Sequence, residues 1–63
     1  MEYEKALEII SSPKFAHARD DGFGHALLYT REHGMSFLLG ICTIYDAKKI
    51  LRTMGQYVEP PRL

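Results

Sequence analysis

From Met35 to Tyr45 the chain carries eight apolar residues in eleven (Met35, Phe37, Leu38, Leu39, Ile41, Cys42, Ile44 and Tyr45) and no charge. This run constrains the fold more than any other feature. It falls well short of the roughly 20 residues that a membrane span needs, so it must be covered by protein, either within the chain or between chains. A short continuous apolar run suits a buried helix or a buried strand, and periodicity does not separate the two. The flanking residues do not alternate apolar with polar, which favours the helix. The alternative is a β-hairpin pairing Ala26–Thr30 with Ser36–Ile41, its turn formed by Arg31–Met35 with Gly34 inside.

The segment after this run reads most clearly. Thr43 and Asp46 stand in the T-x-x-D relation of a capping box. Ile44, Ala47, Leu51 and Met54 then form one helical stripe, widened by Ile50. Lys48, Lys49 and Arg52 lie late in this helix, where its dipole favours cations, and Gly55 is placed to close it. At the other end of the chain, Tyr3, Ala6, Leu7 and Ile10 share a helical face within Glu2–Ile10. Pro13 ends that helix, because it disfavours helical geometry at Ser12. Ser12 and Pro13 can also start a short second helix reaching Asp21, with Phe15 and Ala18 as its apolar contacts, until Gly22-Phe23-Gly24 breaks it. A third helix is expected over His25–His33, terminated by Gly34. The expected fold is therefore all-α: three or four short helices with a helical hairpin core over residues 1–55, and an extended tail over 56–63 containing Pro60-Pro61. An α+β arrangement with the hairpin at 26–41 is the alternative.

Sixty-three residues make one domain, and a chain of this size buries only about 60% of its unfolded surface. The one cysteine, Cys42, cannot form a disulfide within the chain and suggests a reducing compartment. At 46% hydrophobic and 25% charged, the composition is that of a folded protein rather than a disordered one. The formal net charge of zero provides no overall field toward nucleic acid or an acidic membrane. Met1-Glu2-Tyr3-Glu4 is acidic where a secretory signal would be basic, so a soluble, cytoplasmic protein is expected. The charge is nevertheless split. Residues through Glu32 hold four Lys/Arg and six Asp/Glu, net −2, and those beyond hold four and two, net +2.

No set of residues has the spacing of a catalytic, cofactor or metal site. His17, His25 and His33 recur every eight residues, which places them about 80° apart on a helix. Cys42 lies in the most apolar run, where a thiol behaves as a small hydrophobe with a raised pKa. Asp20 and Asp21 are adjacent and diverge, and Gly22-Phe23-Gly24 lacks the rest of a phosphate-binding fingerprint. The expectation is a binding protein with no enzymatic activity and no cofactor. Tyr45, Lys48, Lys49 and Arg52 are the candidate partner-binding residues, since they cluster on or beside one face of the last helix. An acidic protein is the favoured partner and nucleic acid the minor alternative. Phe37, Leu38 and Ile41 are expected in the core, which either closes within the chain or, as the alternative for an apolar run this large, is shared across a homodimer axis. The stripe Tyr3, Leu7 and Ile10 is the second candidate for that interface, and Tyr57–Pro61 is a candidate recognition motif.

In its length, neutral charge and lack of a catalytic constellation, the whole chain resembles the small early-region proteins of lambdoid temperate phages. That resemblance is one of general character and transfers no site residue. It implies a regulatory module that modulates host or phage development through a bacterial protein in the host cytoplasm.

Overall fold

The structure, a computed structural model, describes residues 2–62. The elements run α1 (Tyr3–Ile10), β1 (Phe15–Asp20), β2 (His25–Glu32), β3 (Met35–Thr43) and α2 (Ile44–Thr53). The fold is α+β, which overturns the all-α expectation. The second and third expected helices and the helical reading of 35–41 are all replaced by strands of one antiparallel sheet in the order β1-β2-β3. The hairpin that stood as the alternative is present and longer, with Thr30 opposite Phe37 and Glu32 opposite Met35.

Gly34 explains much of the difference. Its φ of +78° follows a φ of +53° at His33. Two successive left-handed residues make a type I′ turn, whose twist matches a two-residue hairpin. A glycine that could stop a helix thus closes a hairpin, and His is among the side chains that tolerate the left-handed region. The opposite turn, between β1 and β2, is braced by carboxylates. Asp20 Oδ1 accepts from the Gly22 N–H at 2.7 Å, and Asp21 Oδ1 accepts from Phe23 at 2.7 Å and His25 at 3.0 Å.

Both terminal helices form as their periodicity predicts. Thr43 Oγ1 accepts from the Asp46 N–H at 3.2 Å and caps α2. At the other end, the Gln56 N–H bonds to the Leu51 carbonyl and the Gly55 N–H to the Arg52 carbonyl, which is a Schellman closure. α1 and α2 pack against each other and against one face of the sheet. Between them lie Ala6, Ile10, Ala18, Ala26, Leu28, Cys42, Ala47, Ile50 and Leu51, all buried. Ile9, Phe15, Ile44 and Val58 pack around that cluster. Only Ile10, Leu28, Ile50 and Leu51 among the nine are larger than cysteine, so the core is thin.

The two edges of the sheet differ. Along β1 the chain's own tail lies parallel, bridging Glu59 to Arg19. The Asp20 N–H donates to the Glu59 carbonyl and the Glu59 N–H to the Ala18 carbonyl, each at 2.9 Å. Along β3 no described residue makes a backbone hydrogen bond beyond the β2 ladder. The expected placement of Phe37, Leu38 and Ile41 in this chain's core is not what the fold provides, since they are 47%, 53% and 42% exposed. No helix among the described residues is long and apolar enough to cross a membrane.

Candidate functional site

The residues expected to meet a partner come together on α2. A helix with Ala47, Ile50 and Leu51 turned to the core must turn the intervening positions outward. Those positions hold the candidate residues. Tyr45, Lys48, Lys49 and Arg52, with Thr53, line one shallow groove of about 390 Å³. All five side chains are exposed. Among the described residues the ion pairs are His17–Glu59, Arg19–Glu59 and His25–Asp21. Lys48, Lys49 and Arg52 join none of them. Lys49 does have an internal contact, its Nζ lying 5.4 Å from the centre of the Tyr3 ring, which positions the ammonium by cation–π attraction without neutralising it. Asp46, one turn before Lys49, is the carboxylate nearest in sequence; it lies in the first turn of α2 and joins none of these ion pairs. The groove can therefore offer three exposed cations and an aromatic ring to an anionic ligand.

A second cluster went unread in the sequence. On the uncovered face of the sheet, His17 stacks on Tyr29, ring centres 5.0 Å apart and tilted by 19°. Its Nε2 lies 3.3 Å from Ser36 Oγ. Its buried Nδ1 faces Glu59 Oε2 at 3.4 Å without making a hydrogen bond. Arg19 Nη2 donates to that same Glu59 oxygen at 3.0 Å. This bond holds the Glu59 carboxyl below the usual range for a glutamate, and the nearby His17 adds to it. The cluster fastens the tail to β1, so its chemistry is structural. Its tail member, Glu59, is 40 residues from Arg19 in the chain, and no local pattern announces the pairing.

The remaining candidates are dispersed. His25 sits 3.8 Å from Asp21 at the base of a turn, His33 occupies the hairpin turn, and His17 is in the tail cluster. Cys42 is buried on the covered face of the sheet, and burial, aided by the Asp46 charge, pushes its thiol up. Of the dimer candidates, Leu38 lies opposite Tyr29 and Ile41 opposite Leu27 on the uncovered face, whereas Phe37 lies opposite the buried Thr30. All three belong to β3, whose outer edge has no backbone partner among the described residues. No family model matches the chain, and neither a curated protein nor a solved structure matches it.

Proposed function

We propose that this chain is a small regulatory interaction module that works by binding and not by catalysis, and that it takes an acidic segment of a partner protein on the α2 groove. The observation that carries this reading is the groove formed by Tyr45, Lys48, Lys49 and Arg52, whose three cations have no carboxylate partner among the described residues. An extended acidic segment can satisfy such cations by charge-assisted hydrogen bonds while an apolar residue of the segment rests on Tyr45. A net charge of zero favours a protein segment over nucleic acid, since long-range steering toward a polyanion is absent. The general character shared with small phage early proteins fits a bacterial regulator as that partner, and the single thiol fits a reducing cytoplasm.

The probe is a fluorescein-labelled peptide of alternating glutamate and leucine, with a single-stranded oligothymidylate in parallel. Fluorescence anisotropy should show peptide binding at low salt. Reversing the charges together (Lys48→Glu, Lys49→Glu and Arg52→Glu) should weaken it by roughly tenfold or more. Peptide binding that survives the triple reversal would remove the groove from the account. Tighter binding of the oligonucleotide, with affinity falling steeply as salt rises, would replace the acidic protein by nucleic acid.

A further inference from the structure

Natural sheets protect their edges with charges, prolines, short strands or a covering segment. This molecule applies that protection to one edge only. Along β1 the tail pairs through Glu59 and continues into Pro60-Pro61, which have no N–H with which to extend a ladder. β3 has none of these devices except a bulge. It runs nine residues with no charge and no proline, and at about 3.3 Å per residue it spans nearly the full 29 Å of the molecule. Met35, Phe37, Leu38 and Ile41 stand 60%, 47%, 53% and 42% exposed along it. The bulge falls at Leu39, where the register with β2 shifts, and so leaves Met35–Leu38 as an uninterrupted segment exposed on both faces.

We propose that this segment pairs antiparallel with the same segment of a second copy, across a twofold axis at Phe37, joining two three-stranded sheets into one of six. Three observations favour a copy over a different partner. First, the register is self-consistent. An axis at Phe37 sets Ser36 directly against Leu38 of the copy, so the opposed pairs fall within the regular segment that ends before the bulge at Leu39. Second, a segment without charge on a molecule without net charge meets no repulsion from itself. Third, the core is thin, with four residues larger than cysteine, while larger apolar side chains stand outside it on β3. Small domains that lack disulfides commonly gain their missing burial by oligomerising. Pairing at β3 buries those side chains and satisfies the free backbone groups of the edge in one step. The proposal does not depend on the α2 groove, which lies on another element.

Sedimentation equilibrium across a concentration series should show a dimer that dissociates on dilution. Phe37→Asp opposes two like charges at the axis and should raise the dissociation constant roughly tenfold or more, with the far-UV circular dichroism of a folded chain. Because that variant could instead unfold, Phe37→Cys supplies a second reading. Directly opposed residues lie about 4.5–5.5 Å apart at Cα, within disulfide reach. Mild oxidation should therefore give a covalent dimer with Phe37→Cys. It should not do so with Thr53→Cys on α2, nor with the wild type, whose Cys42 is buried. A monomer at every concentration overturns the proposal, as does a dimer indifferent to Phe37→Asp or equal cross-linking at positions 37 and 53. Failure of the α2 reading would leave these results unchanged, since the charge reversals there do not touch β3.

Discussion

Asp21 and Glu59 are the carboxylates on which local order most depends. Asp21 is held below its ordinary range chiefly by the N–H of Phe23, with further help from the N–H and ring of His25. Glu59 is held down by Arg19 first. A carboxyl whose folded pKa is depressed contributes stability above its unfolded pKa, and this is lost as pH falls through the folded value. Both contributions should therefore be complete at neutral pH and disappear below the ordinary carboxylate range near pH 4. Thermal melts of the wild type should hold level down to about pH 5 and then decline modestly toward about pH 3. The double variant Asp21→Asn, Glu59→Gln should start lower at pH 7 and show a flatter decline. Equal slopes would mean that other carboxylates govern acid unfolding. Both groups are solvent-facing, so the effect is one of direction and shape rather than large magnitude.

At the scale of elements, α2 offers the sharpest contrast between faces. Leu51 is 1% exposed and belongs to the small set of large core side chains, so Leu51→Ala should cost about 2–5 kcal/mol. Lys49 is exposed with its ammonium over the Tyr3 ring, so Lys49→Ala should cost no more than about 1 kcal/mol. Chemical denaturation of the two variants compares the faces directly, and similar losses would show that the faces of α2 are wrongly assigned. This contrast was legible in the sequence because the stripe, cap and terminator of α2 all agree. The strands were not. β1 holds two alanines and no β-branched residue, and the Ser12-Pro13 before it suits a helix start; its strand state is imposed by pairing with β2. In β2 the buried Ala26, Leu28 and Thr30 do alternate, but Leu27 and Tyr29 on the uncovered face fill the gaps and hide the period. In β3 apolar residues occupy both faces, which gave Phe37, Leu38 and Ile41 the look of core. The sequence reading placed them in a core, whereas the structure leaves them exposed on the edge strand.

For the whole molecule, the division of charge tells the two proposed surfaces apart. The acidic front of the chain includes α1, with Glu4 in its first turn and Glu8 further on, and the basic back includes α2. The two helices pack against each other, so within one chain the −2 and +2 halves lie partly side by side. Peptide binding at α2 depends on cations at the surface. The Debye length falls from about 10 Å at 0.1 M salt to about 3 Å at 1 M, so binding should fall sharply over that range. Pairing at β3 depends on apolar burial and backbone hydrogen bonds, which salt does not screen. Sedimentation equilibrium on the same preparation should therefore show the dimer unchanged, or slightly tighter, at 1 M sodium chloride, while anisotropy shows the acidic peptide released. A dimer that dissociates as salt rises would place the association elsewhere. In that case its source would be head-to-tail contact between the acidic α1 of one copy and the basic α2 of the next. Such a contact does not close on itself as a twofold does, so it would build chains rather than pairs, and species larger than dimers at low salt would reveal it.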